Sequence, residues 1–135
     1  MQIGTILYHK SFQFTSGTQA TKLLVILNTP NIRAGEPYLA CLATSQLKYR
    51  KSPGCQRKAS LFFIEAKRDW FDLDTWLQLY EIYEFPASYL LRLKLASGVL
   101  EIRGRLRQQT IRKIVNCIKV LDDVSIYHKR LIAKS

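Results

Sequence analysis

The chain has 135 residues, of which 47% are hydrophobic. That length suits one ordinary domain with a single sizeable core, and that composition excludes a disordered chain. Lysine and arginine number 21 against 10 acidic residues, a net charge of +11. So large a charge repels itself unless an anion is the partner, and nucleic acid leads a membrane surface in that role, with a basic surface kept only for solubility as the bland alternative. No apolar run approaches the ~20 residues needed to cross a bilayer. The N-terminus, MQIGTILYHK, has no basic segment followed by an apolar one and a small-residue cleavage site, so no signal peptide is expected.

In chain order, Ile3 to Leu7 is a short apolar run. Ser11 to Phe14 alternates Phe12 and Phe14 with polar residues, the period of a half-buried strand. Ser16-Gly17 signals a turn. Leu23 to Leu27 is a continuous apolar run suited to a central strand, stopped by Asn28-Thr29-Pro30. Pro37-Tyr38 restarts the chain, and Tyr38 to Ala43 is apolar again. Leu61 to Ile64 and Trp76 to Tyr80 complete five or six short strands.

Thereafter the pattern changes. Pro86 is placed to open a helix over PASYLLRL, and Gly98 to Ile102 reads as a further short strand. Leu106, Ile111, Ile114, Ile118 and Leu121 return at helical spacing, with Arg105, Arg112 and Lys119 on the opposite face. Asp122-Asp123 breaks the chain before a last helix over Val124 to Ile132. Residues 1–85 should therefore form a small, strongly curved antiparallel sheet or barrel. Residues 86–135 should form a mainly helical part that packs on it within one domain.

The cysteines are Cys41, Cys55 and Cys117. An odd count without CxxC or a histidine pair argues against a disulfide framework and a zinc site. Cys41 and Cys117 read as core thiols and Cys55 as an exposed bystander with mild activation. A cytoplasmic, reducing setting is expected. His9 and His128 are the only histidines and lack a carboxylate at ligand spacing. Asp69, Asp72 and Asp74 read as solvated loop residues, so no metal and no cofactor are expected. Nucleotide-binding glycine loops and GxSxG are absent from the sequence.

What remains is basic and hydroxyl chemistry. The run LATSQLKYRKSPGCQRK joins a strand end, Thr44-Ser45-Gln46, to a segment bearing Lys48, Arg50, Lys51, Arg57 and Lys58 without an acidic residue. Lys22 heads the strand LLVILN, and His9-Lys10 ends the first strand. Cleavage at an RNA 2′-hydroxyl needs a proton acceptor, a proton donor and groups that stabilise the phosphorane. Lysines, arginines and the hydroxyls of Thr44 and Ser45 suit the last task, although turn-favouring hydroxyls at a strand end are the plain alternative. Tyr8, Tyr49 and Trp70-Phe71 lie among cations, where rings stack on unpaired bases. Core packing is the simpler assignment for Trp76.

The order of these segments resembles the MazF/PemK/Kid-like toxins, small endoribonucleases of toxin–antitoxin pairs. Ile3-Gly4-Thr5-Ile6-Leu7 is similar to the family's opening strand. KLLVILN, Lys22 to Asn28, resembles the strand usually written RPVLVIQN. LACLATSQ, Leu39 to Gln46, resembles the strand ending in Thr-x-Gln, with Thr44 and Gln46 at the matching positions. WLQLYEIYEF, Trp76 to Phe85, resembles a later strand and turn. The resemblance spans residues 3 to 90.

It implies an SH3-like antiparallel barrel closed by a terminal helix, a homodimer, and an acidic antitoxin protein in the RNA groove. It implies metal-independent cleavage of single-stranded RNA to a cyclic phosphate, with Thr44 as the transition-state hydroxyl. The family's arginine is replaced by Thr21-Lys22, and its Gln-x-Arg strand reads Glu81-Ile82-Tyr83. Lysine lacks the planar fork of arginine, so the cation is sought at Lys22, His9 or Arg50. The expected catalytic set is Thr44, Lys22 and His9. The expected RNA-binding set is Ser45, Gln46, Lys48, Tyr49, Arg50, Lys51, Arg57 and Lys58. The alternatives are a catalytically inactive nucleic-acid-binding barrel with a regulatory role and an adaptor for an acidic protein.

Overall fold

The computed structural model describes residues 1–14, 16–95 and 98–135. The first two apolar stretches fold as one strand, β1 (Thr5–Gln13). A bulge joins them. Against the next strand, His9 pairs with Lys22 but Phe12 with Ala20, so β1 carries one extra residue there. Such a bulge bends a strand without ending it. It returns Phe12 to the face that Leu7 and His9 share, and the His9 and Phe12 rings meet edge-on at 5.8 Å.

The other strands are β2 (Gln19–Ile26), β3 (Tyr38–Thr44), β4 (Gly54–Gln56), β5 (Leu61–Ile64), β6 (Thr75–Phe85) and β7 (Leu100–Arg105). They form one antiparallel sheet in the order β4-β5-β6-β3-β2-β1-β7. Among the described residues three α-helices follow or interrupt the last strands: α1 (Ala87–Leu95), α2 (Gln108–Lys119) and α3 (Ile126–Ala133). Pro86 precedes α1, and its carbonyl accepts from the Tyr89 and Leu90 amides. Ser125 caps α3 by accepting from the His128 amide at 3.1 Å. Among the described residues no helix is long and apolar enough to cross a membrane.

Both faces of the sheet are covered, which is why β2 and β3 read as continuous apolar runs. One face puts Ile6, Val25, Leu39, Cys41, Leu77 and Leu79 against Ile111, Ile114 and Ile118 of α2 and Leu131 and Ile132 of α3. The other puts Leu7, Phe12, Leu24, Ile26, Ala40 and Leu42 against Leu90 of α1.

Among the described residues the strands form the antiparallel sheet that their pattern allowed, and it is not closed into the barrel that the family resemblance implies. β4 and β7 are its two edges. A loop and a helix span the gap between them. In the β5–β6 loop Asp69 accepts from the Arg107 amide at 3.1 Å, just beyond the end of β7. At the other edge α2 packs beside β4.

The cysteines differ from the reading of their spacing. Cys55 in β4 and Cys117 in α2 form a disulfide, with Cα atoms 5.4 Å apart and a sequence separation of 62. Cys55 is therefore not an activated thiol, nor Cys117 a free core thiol. The paired cysteines also withdraw the thiol argument for a reducing compartment. Helical spacing places Cys117 on the buried stripe of α2, but only packing puts that stripe beside β4. Cys41 stays free and buried, and burial pushes its thiol pKa up to about 12.

A three-residue edge strand holds few hydrogen bonds of its own, so the cross-link should contribute much of its order. A disulfide typically stabilises a fold by roughly 2–4 kcal/mol. Replacing both cysteines by serine should lower the denaturation midpoint accordingly and expose the β4 amides to hydrogen exchange. An unchanged midpoint, read with and without reductant, would contradict this.

Candidate nucleic-acid interface

Side chains alternate along strands, so Lys22, Leu24 and Ile26 share a face of β2, and Leu42 and Thr44 share that same face of β3. The register pairs Leu23 with Ala43 and thereby brings Lys22 alongside Thr44. Here the apolar runs end and the covering helices stop, so a cation and a hydroxyl emerge half-buried at the lip of the sheet.

Two hollows meet at this lip and share Lys22, Ala43 and Thr44. One, of about 520 Å³, is bounded by Tyr8, Thr21, Gln46 and the Trp70–Leu73 segment. The other, of about 250 Å³, is bounded by Phe14, Gln78, Tyr80, Glu81 and Tyr83. Ser45 and Gln46 lead on to a third hollow of about 680 Å³, lined by Lys48, Tyr49, Arg50 and Lys51. A continuous seam thus runs from the β6 tyrosines past Lys22 and Thr44 to the basic loop.

At the centre Thr44 Oγ1 accepts the Gln46 amide hydrogen at 3.2 Å. That contact uses a lone pair and leaves the hydroxyl proton to donate. The Lys22 ammonium lies 5.5 Å from the centroid of the Phe14 ring. Among the described residues it has no carboxylate within ion-pair distance. Its charge is therefore available to an incoming anion.

His9 sits opposite Lys22 in the register but is only 2% exposed. Its Nδ1 accepts from the Ser11 amide at 3.1 Å, inside the bulge. Burial lowers its pKa, favouring the neutral ring. The structure places it under the seam, as a support for the bulge, away from the hollows that Lys22 and Thr44 line.

Of the β6 side chains that line the site, Glu81 and Tyr83 stand where the resembled family has its Gln-x-Arg pair, whereas nothing in the sequence singled out Gln78 and Tyr80. Gln78 Nε2 donates to the Tyr80 hydroxyl at 2.7 Å, leaving the phenol proton unused. The Tyr83 hydroxyl donates to Glu81. Burial, then the Glu81 charge, raises the Tyr80 pKa. Burial, then the Glu81 hydrogen bond, raises that of Tyr83. Both phenols hold their protons at neutral pH. The available signal was the period of β6, which puts Gln78 and Tyr80 on one face, but which strand that face adjoins is a tertiary fact.

The basic loop is anchored through its backbone. The Arg50 carbonyl accepts from Gln56 Nε2 at 2.6 Å and from the buried Trp76 indole at 3.3 Å. Lys51 pairs with Asp74 at 3.1 Å. The Ala66 amide and then Lys51 hold the Asp74 carboxyl below its usual range. Lys48 and Arg50 have no carboxylate partner among the described residues, and Tyr49 is 41% exposed beside them. Arg57 and Lys58 are exposed in a 3-10 turn after β4 and line none of the three hollows. The expected RNA-binding set is therefore split. Among the described residues no group of three His, Cys, Asp or Glu side chains is placed to hold a metal ion.

No protein-family model matches the chain, and no curated protein matches it.

A neutral buried His9 gives a signed expectation. Its folded pKa lies below the unfolded value near 6.5, so the unfolded chain binds the proton more readily as pH falls. Stability should then decline on acidification below about pH 6.5. His9→Gln should flatten that decline between pH 7 and 5, as read from denaturation midpoints. An equal slope in the variant would show that His9 titrates freely in the fold.

Proposed function

We propose that the chain is a metal-independent endoribonuclease of the MazF/PemK toxin kind, acting on single-stranded RNA along the β3 seam. The observation that carries this reading is the juxtaposition, at the lip where two hollows meet, of a Lys22 ammonium without a carboxylate partner among the described residues and a donor-competent Thr44 hydroxyl. The two side chains sit on central strands rather than flexible loops, which suits a site for developing charge. We read the open sheet, with its gap spanned by the Asp69 loop and α2, as a variant of that family's barrel. On this reading an acidic antitoxin that fills the seam and a second copy of the chain are the expected partners, in the cytoplasm.

The chemistry needs no group outside the substrate and the chain. The ribose 2′-oxygen attacks phosphorus while the bond from phosphorus to the 5′-oxygen breaks. A 2′,3′-cyclic phosphate and a 5′-hydroxyl result. Lys22 neutralises the non-bridging oxygens and Thr44 donates to one of them. In the same hollow Glu81 is the carboxylate able to take the 2′-proton, and Tyr80 carries an O–H able to serve the leaving oxygen. Lys48, Arg50 and Lys51 hold the flanking phosphates.

A second reading, binding without cleavage, is favoured by one observation: the imidazole of His9 is buried beneath the seam. Purified protein incubated with mixed single-stranded RNA separates the two. Cleavage to cyclic phosphate ends, unaffected by chelator, is expected. Thr44→Ala and Lys22→Ala should each slow it by about 10²-fold, the usual cost of one oxyanion donor. Binding with no cleavage would establish the second reading, and chelator-sensitive cleavage would refute the metal-free mechanism.

The split of the basic residues yields a separate expectation. Changing Lys48, Arg50 and Lys51 together to glutamine should weaken RNA binding. It should also reduce the slope of log affinity against log salt by about 2, at ~0.7 per phosphate on a single strand. Arg57→Gln with Lys58→Gln should change the slope less. Equal slopes for the two variants would show that the hollow does not set the path of the RNA.

A further inference from the structure

Beside the seam the β5–β6 loop carries a large ring that is held in place yet left uncovered. Trp70 is 39% exposed. Its indole lies across Gly104 of β7, where a Cβ would come within 2.5 Å of Nε1 and 2.6 Å of Cδ1. Only glycine permits so close an approach. Behind the ring the loop is fixed at several points. Asp69 accepts from the Trp70 amide at 2.7 Å as well as from Arg107. The Lys67 amide donates to the Phe71 carbonyl at 2.9 Å. Phe71 is buried and meets Trp70 edge-on at 5.3 Å.

Trp70 and Asp72 line the hollow on the Leu23 and Ala43 face of the sheet, and Lys22 and Thr44 stand at its lip, where it meets the hollow on their own face. Tyr8 lines the same hollow as Trp70, its ring backed by the Arg103 guanidinium at 4.3 Å. Among the described residues the Asp72 carboxylate has no hydrogen-bond or ion-pair partner, in a protein with a large cationic excess. An exposed ring that is already immobilised binds a base with little further loss of freedom. An unpaired carboxylate beside it accepts from an exocyclic amino group, as acidic side chains do from cytosine. Uracil, with carbonyl oxygens on both sides of its one N–H, offers no amino group there and opposes acceptor to acceptor.

We infer that Trp70 is a stacking platform for the base next to the phosphate held by Lys22 and Thr44, and that Asp72 selects an amino-bearing base over uracil at that position. This deepens the ribonuclease reading and rests on RNA entering the seam.

The test uses the intact protein and 2′-O-methyl oligonucleotides of cytosine, adenine or uracil, which bind without offering a 2′-hydroxyl for cleavage. A base-free strand of equal charge is the control. The cytosine strand should quench tryptophan emission, bind more tightly than uracil, and lose roughly tenfold in affinity in Trp70→Leu, the scale of one stacked base. The salt slope should not change, nor should binding of the base-free strand. Leucine keeps apolar cover over Gly104 without a π-face. Trp70→Phe should retain most of the affinity while losing the quenching, because Trp76 is buried. Asp72→Ala should abolish the preference for cytosine over uracil. Equal affinity of wild type and Trp70→Leu for the cytosine strand, or a loss shared with the base-free strand, overturns the stacking assignment. Unchanged base preference in Asp72→Ala overturns the selection. Either result alongside intact RNA cleavage leaves the ribonuclease reading standing, whereas failure to bind any strand overturns both.

Discussion

The pairing of β2 with β3 at the centre of the sheet is the constraint on which the remainder depends. Leu23 to Leu27 and Tyr38 to Ala43 are apolar on both faces, so both faces require cover. α2 and α3 supply it on one side and α1 on the other. A lysine or threonine in the middle of either strand would be stranded without solvent. The first positions where polar side chains are tolerated are the strand ends, where the cover stops. Lys22 and Thr44 occupy those positions on adjacent strands. The site is thus a consequence of where burial runs out, and its rigidity comes from the burial beside it.

The segments that frame the site are held by contacts of a different kind. The basic loop has little apolar content, so its position rests on backbone acceptors: the Arg50 carbonyl takes hydrogens from Gln56 and Trp76. The Trp70 loop rests on one carboxylate, Asp69, which satisfies two amides. The short β4 edge rests on its ladder to β5 and on the Cys55–Cys117 bridge. Each device fixes a backbone while leaving side chains open to solvent.

Charge is arranged on the same plan. Several acidic residues are engaged away from the centre of the seam. Glu101 pairs with Lys10 and Arg103, Glu65 with Arg68, and Glu36 with Lys134. Glu84 contacts His128 at 2.6 Å. These exposed pairs contribute little stability individually. Their consequence is that Lys22, Lys48 and Arg50 remain without carboxylate partners among the described residues. Glu81 and Asp72 oppose Lys22 at the lip, so the cationic excess that attracts an anion is concentrated on the basic loop, where Lys48, Arg50 and Lys51 face Asp74 alone among the described carboxylates.

Much of the fold was legible from periodicity. The runs at Leu23, Tyr38, Leu61 and Trp76 are strands, and the stripe from Ile111 to Ile118 is a helix face. What escaped had no periodic signal. Gly54-Cys55-Gln56 pairs as a strand because β5 offers it an edge, and its residues carry no alternating pattern. β1 runs through polar His9-Lys10-Ser11 because a bulge absorbs the extra residue. β6 continues past Tyr80 to Phe85 because β3 extends beside it, through a further shift in register. By itself the sequence determined the mainly β character, the helical C-terminal part, the excess of positive charge and the meeting of a hydroxyl strand end with a basic loop, since local pattern and composition carry all of these. Only the tertiary structure decided that the sheet stays open, that Cys55 bonds Cys117, that His9 lies buried, and that Tyr80, Glu81, Trp70 and Asp72 border Lys22 and Thr44. Those outcomes depend on which distant segments share a face, and no local spacing encodes that.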